Sequence, residues 1–234
     1  SPAIISFAIA SVIALWTFVR VEQRVEAPLL PLSWLRNGNI VLPMVIQSLL
    51  NFAYMGGFIV VPQMLEKGLG MTAAHIGLLV IARPLTFSIV APLASFFTMR
   101  VGERVSGVLG ATGILASMVL LSSIRTDASD LLVVLGLGMS GLGFGIAGPA
   151  LSALVSNAVD DDSVGVAGAM QQLLSQMGAV LGSTVMISIQ EMTSKSGLIE
   201  SYAYGLMAGA VTAIVGVLLA MKLTPTDRSV PLSN

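Results

Sequence analysis

Residues 74–98, AHIGLLVIARPLTFSIVAPLASFFT, run for 25 positions with one arginine and no acidic residue. At 1.5 Å per helical residue such a stretch exceeds the roughly 30 Å of hydrocarbon in a bilayer. Strands are shorter and alternate, and a helix on a soluble core keeps a charged face, so this run reads as a membrane span. Working outward, six more apolar stretches of similar length follow the same reading: 3–20, 38–62, 106–123, 130–154, 165–190 and 203–221. The expected fold is an all-α, polytopic helical bundle in a membrane. Segment 21–37 carries Glu22, Arg24, Glu26 and Arg36 with Pro28 and Pro31, and reads as an interfacial linker between the first span and the other six.

Composition agrees. Hydrophobic residues make up 55% of the 234 positions and charged residues 10%, against about a quarter charged in soluble domains. Mean hydropathy is +0.92. Membrane lipid is therefore the expected surrounding. A net charge of −1 gives no basic excess for nucleic acid, and no nucleic-acid partner is expected. Cysteine is absent, which excludes disulfide frameworks, thiolate nucleophiles and cysteine metal sites. Ser1-Pro2 is not preceded by an initiator Met or a basic leader, so the chain is expected to begin inside a longer protein.

Loops on the cytoplasmic side carry the excess of Lys and Arg. With 21–37 inside, that side holds Arg20, Arg24, Arg36, Arg100, Arg104, Lys222 and Arg228, and the other holds Lys67, Arg125 and Lys195. The carboxy terminus is expected to be cytoplasmic.

Polar groups inside hydrocarbon are costly, so those within spans are the candidate functional residues. Arg83 is the only charge deep in a span, and Pro84 after it frees backbone carbonyls. It reads either as a packing cation bonded to those carbonyls or as a charge on a transport path. Gln47, Asn51 and Tyr54, four and three apart, share a helix face that either lines a cavity or bonds neighbouring helices. Gln172 and Gln176, with Gln171 and Ser175 beside them, form a second polar patch placed to face the first. Gly141 with Gly145, and Gly178 with Gly182, are four apart and predict close helix packing.

Other chemistries find little footing. The run 136–148, GLGMSGLGFGIAG, lacks the Lys-Ser or Lys-Thr of a phosphate loop and lies within a span. His75 has no second ligand at metal spacing and reads as an interfacial residue, so no metal is expected. No nucleophile elbow occurs, and neither enzymatic activity nor a cofactor is expected. No span holds a carboxylate that a proton carrier would use.

The stretch 21–43, VEQRVEAPLLPLSWLRNGNIVLP, together with 74–104 and 136–183, resembles the join and carboxy-terminal half of the major facilitator superfamily. More narrowly it is similar to the drug:proton antiporter family with fourteen helices. The family's loop pattern Gly-x-x-x-Asp-Arg-x-Gly-x-Arg is met at Arg100, Gly102 and Arg104, but Ser95 stands for its Gly and Met99 for its Asp. Ser175 stands where an Arg often precedes the Gln-Leu-Gly of the penultimate helix, here Gln176, Met177 and Gly178.

The resemblance implies that 1–20 is the last helix of a central pair, 21–37 a cytoplasmic linker, 38–222 a six-helix half and 223–234 a cytoplasmic tail. It implies that spans 38–62 and 130–154 line the path, that 74–98 and 165–190 face the other half, and that 106–123 and 203–221 face lipid. The implied function is proton-coupled export of small organic compounds across a bacterial plasma membrane by alternating access. Partners would be the small-molecule substrate, protons and an amino-terminal half of the same protein, without which this chain is not expected to transport. A permease subunit served by a separate ATPase and a purely structural membrane subunit are the readings from other classes.

Overall fold

The computed structural model describes residues 36–125 and 129–224, with Trp16, Thr17, Arg20 and Trp34 besides. The expected first span, 3–20, and most of the linker 21–37 lie outside the described residues, as does the tail beyond 224. Helices fill the rest: α1 Gly38–Gln63, α2 Ala73–Val80, α3 Ala82–Val101, α4 Glu103–Ser122, α5 Asp130–Asn157, α6 Val164–Met192 and α7 Leu198–Ala220. Taken with the short turns that extend them, they make six stretches long and apolar enough to cross a membrane. These coincide, to within a few residues at each end, with the six spans read from 38–221.

Local chemistry sets the ends and the breaks. Asn37 caps α1, its side chain accepting from the Asn39 backbone N–H at 3.0 Å. At the other end Pro62 has no N–H for the Phe58 carbonyl, and the helix widens into a single π turn over Met64–Gly68. Gly70, at φ 67, then takes the left-handed conformation that turns the chain toward α2. The second span is broken at Ile81, because Pro84 cannot donate to the Val80 carbonyl. Hydrogen bonds resume on either side, Ile81 N–H to Gly77 at 3.3 Å and Leu85 N–H to Ile81 at 3.1 Å, so α2 and α3 remain one interrupted rod. A single residue, Gly102 at φ 92, reverses the chain between α3 and α4.

The packing order has an internal symmetry. α1 packs on α6 and α7, α5 packs on α3 and α4, and α4 packs on α7. Exchanging the first three spans for the last three maps this set of neighbours onto itself, as expected of three-helix repeats within a bundle. The main core, with Leu50, Ile114, Met118, Leu121 and Leu206 fully buried, lies where α1, α4, α5 and α7 converge. A smaller cluster of Ile40, Met44, Val155, Ala167 and Met170 joins the start of α1 to the end of α5 and the start of α6, with Trp34 against it.

Apolar helices gain little from leaving lipid for each other, so close backbone approach and interhelical hydrogen bonds carry the association. Gly178 and Gly182 lie against α1: a Cβ on Gly178 would fall 2.7 Å from Ser48 Oγ, and one on Gly182 would fall 2.6 Å from Phe52 Cα. Gly141 and Gly145 lie against α3, the second with room for only the Val90 side chain at 3.2 Å. The sequence did not single out a further close contact. Gly110 of α4 and Gly143 of α5 face each other, and a Cβ on either would stand 2.6 Å from the other's carbonyl oxygen.

Coverage is uneven. The second and fifth spans are the least buried of the six. Leu78, Ile81, Leu85, Ile89 and Leu93 form an exposed stripe at helical spacing on the former, and Leu173, Met177, Val180 and Leu181 one on the latter.

Candidate functional site

Three helices each contribute two side chains one turn apart to a cluster within the spans: Tyr54 and Phe58 from α1, Arg83 and Phe87 from α3, Ser140 and Phe144 from α5. Arg83 is at its centre and has no solvent exposure. Its Nε donates to Ser140 Oγ at 2.7 Å and its Nη1 to the Tyr54 carbonyl at 3.0 Å. The Ser140 hydroxyl donates to the Leu137 carbonyl at 2.7 Å, leaving its lone pairs to the guanidinium. The acceptor carbonyl is therefore on a neighbouring helix and is not among those freed by Pro84.

Aromatic rings cover the cation. The guanidinium carbon lies 4.9 Å from the Tyr54 ring centre and 5.8 Å from that of Phe58, within cation–π range. Tyr54 stacks on Phe144 at 4.6 Å with 17° between planes, and Phe87 tilts against Phe144 at 6.2 Å. Two glycines make the cluster possible. Gly57 lacks a Cβ that would stand 3.3 Å from Arg83 Nη2, and Gly141 lacks one that would collide with the Arg83 carbonyl. Nη2 has no hydrogen-bond partner. No carboxylate pairs with Arg83 among the described residues.

A second group joins α1 to α6. Asn51 Nδ2 donates to the Ser175 carbonyl and to Ser175 Oγ, both at 2.9 Å, and Ser48 Oγ donates to the Leu174 carbonyl at 2.8 Å. Asn51 Oδ1, Gln47 Oε1 and Gln171 Nε2 are buried without partners. The face predicted to hold Gln47, Asn51 and Tyr54 thus serves two neighbours: Asn51 meets α6, while Tyr54 meets α3 and α5.

The second polar patch divides, which corrects the expectation that Gln172 and Gln176 face the first. Gln171 and Ser175 are buried toward α1, whereas Gln172 and Gln176 are exposed and line an open groove with Leu173, Met177 and Leu181. The sequence missed Ser140, Phe144 and Gly57. The signal for the first two lay in GLGMSGLGFGIAG, where the glycines drew the reading to packing.

At the loop motif, Arg100 is exposed beside Phe96 and Phe97, Gly102 makes the turn, and Arg104 Nη2 donates to the Met221 carbonyl just beyond α7. A cation there complements the negative end of the helix dipole. His75 is not alone: its Nε2 stands 2.8 Å from Asp130 Oδ2, tying the start of α2 to the start of α5.

The model of the Major Facilitator Superfamily matches residues 2–183 and 44–234, two overlapping stretches. The multidrug resistance protein Stp of Mycobacterium tuberculosis is 25% identical over 188 residues, covering 77% of this chain and 35% of its own. The tetracenomycin C resistance and export protein of Streptomyces glaucescens is 30% identical over 189 residues, covering 78% and 34%. The methylenomycin A resistance protein of Streptomyces coelicolor is 26% identical over 234 residues, covering 97% and 48%. The chain spans about a third to a half of the length of these curated relatives. With six apolar spans and the family match over most of its residues, the chain is an integral membrane protein that belongs to the Major Facilitator Superfamily.

Proposed function

We propose that the chain supplies one six-helix half, residues 38–222, of an exporter of small organic compounds that works by rocking of two helix bundles about a site near the midplane. In this reading 1–20 is the last of two helices between the halves, 21–37 a cytoplasmic linker and 223–234 a cytoplasmic tail, and the whole is a proton-coupled antiporter of the fourteen-helix type in a bacterial plasma membrane. The amino-terminal half covers the exposed faces of the second and fifth spans and carries the proton-binding acid. Gln47, Asn51, Tyr54, Arg83, Gln172 and Gln176 belong to the substrate path.

One observation carries the reading: Arg83 Nη2, Asn51 Oδ1, Gln47 Oε1 and Gln171 Nε2 are all buried within apolar spans without a partner. A bundle with only a structural role has no reason to keep such atoms, because each unsatisfied group costs about 1–3 kcal/mol. Drug resistance and export in the names of the relatives support an organic cargo. The test is gradient-driven transport by the full-length protein in liposomes, with a panel of aromatic dyes. The expected result is transport that requires a proton gradient and falls at least tenfold in Asn51→Leu. Transport that ignores the gradient, or Asn51→Leu and Gln176→Leu proteins that match wild type, would refute it.

A further inference from the structure

Resting on the exporter reading, we infer that the path selects aromatic compounds bearing a negative charge over lipophilic cations of the same shape, and that Arg83 is the residue that sets this preference.

Among the described residues Arg83 is the only charge deep within a span, since each acidic residue described lies in a turn or within the first or last turns of a helix. Its two hydrogen bonds go to a hydroxyl and a backbone carbonyl, both neutral. A guanidinium does not deprotonate under such conditions, so its charge is solvated by dipoles but not cancelled. In the low dielectric of a membrane interior that field is weakly screened, and it extends through the rings that cover it.

Those rings decide what the field acts on. Phe58 is 46% exposed, and Phe87 and Phe144 are partly covered, so they offer apolar area to a planar guest. A cage for cations uses the negative faces of its rings. Here the guanidinium already lies over Tyr54 and near Phe58, so a second cation stacked on the far side meets a like charge. An anion stacked in the same place meets an opposite one. Among the described residues the other polar side chains buried within the spans near Arg83 are amides and hydroxyls, which offer no countercharge to a cationic guest.

The experiment uses the full-length protein in liposomes with two xanthene dyes of closely similar shape, anionic fluorescein and cationic rhodamine 123, and the neutral dye Nile red. Wild type is expected to move fluorescein faster than rhodamine 123 by about tenfold or more. Arg83→Gln should lower that ratio at least fivefold, and Arg83→Lys should keep most of it. Equal or faster movement of rhodamine 123, movement of Nile red alone, or an unchanged ratio in Arg83→Gln would overturn the inference. An unchanged ratio would mean that a charge elsewhere in the protein, not Arg83, sets the preference. Movement of none of the three dyes, with or without a gradient, would overturn the exporter reading and this inference with it. The wild-type ratio tests the preference by itself, and Arg83→Met, which removes the charge and its donors together, tests the part of Arg83 where Arg83→Gln fails to fold, with an unchanged ratio again overturning the inference.

Discussion

Gly182→Ala offers the most direct measure of how α1 and α6 are held. The added Cβ would stand 2.6 Å from Phe52 Cα and from its carbonyl carbon. Both are backbone atoms, so no rotamer change relieves the contact. Carbon atoms rest about 3.5–4.0 Å apart, so the helices must separate by about 1 Å locally. Overpacking of this kind costs about 1–3 kcal/mol. The separation also stretches the bonds at 2.8 and 2.9 Å from Ser48 and Asn51 to the facing backbone of α6, worth about 0.6 kcal/mol apiece in a membrane protein. The sum is a loss of about 2–4 kcal/mol. The control is Gly168→Ala on the same helix, where nothing lies within 4 Å of the new atom, and which should gain about 0.5–1 kcal/mol from helix propensity. Reversible unfolding by sodium dodecyl sulfate in mixed micelles, followed by circular dichroism, reads both. A Gly182→Ala protein within about 0.5 kcal/mol of wild type would refute the close approach of the two backbones.

Three further outcomes are expected from the same unfolding assay and its relatives. Ser140→Ala leaves Arg83 Nε buried without its acceptor at 2.7 Å and should cost about 1–3 kcal/mol, whereas Arg83→Met removes charge and donors together and should be neutral or stabilising; the reverse order would mean that the Ser140 bond does not hold the cation. A double-mutant cycle with Asn51→Ala and Ser175→Ala should give a coupling of about 0.6 kcal/mol and no more than about 1.7 kcal/mol, with zero coupling excluding the Nδ2 to Oγ bond. Arg104→Gln removes the donor at the Met221 carbonyl, and hydrogen exchange over residues 217–223 should quicken while α1 is unaffected; unchanged exchange there would show that the last turn of α7 does not depend on Arg104.

Length and polarity made much of this fold legible. Six spans followed from runs of about 20 residues with at most one charge each, because in a bilayer every backbone group must be satisfied within its own helix. The break at Ile81 was announced by Pro84, and Arg83 stood out because its surroundings are apolar. Helix neighbours were not legible, since association here turns on which backbones approach closely, and glycine is spread over several faces. Gly110 and Gly143 are 33 positions apart and show no pattern that links them. The four polar residues 171, 172, 175 and 176 occupy a wide arc at 100° per residue, so only the position of α1 decides which two are inside. Likewise His75 gained its partner from a residue 55 positions away, which spacing alone does not reveal.

The two polar groups share α1, and this bears on how the bundle moves under the exporter reading. Asn51 reaches the α6 backbone while the Tyr54 carbonyl, three residues on, holds Arg83 of α3. Several interhelical bonds in the interior end on backbone carbonyls, those of Leu174, Ser175, Tyr54 and Gly136. Such acceptors move only with their whole helix. Where α1 meets α6, Gly178 and Gly182 set backbone directly against the backbone of Ser48 and Phe52, with no side chain between them to absorb a slide. Shearing α1 along its neighbours would therefore break bonds to α6 and α3 together and drive Gly178 and Gly182 past Ser48 and Phe52. The exposed stripes of the second and fifth spans impose no such restraint, being built of leucine, isoleucine, methionine and valine side chains that repack at small cost. Motion is thus expected to fall at those outer faces, with the six helices turning as one body.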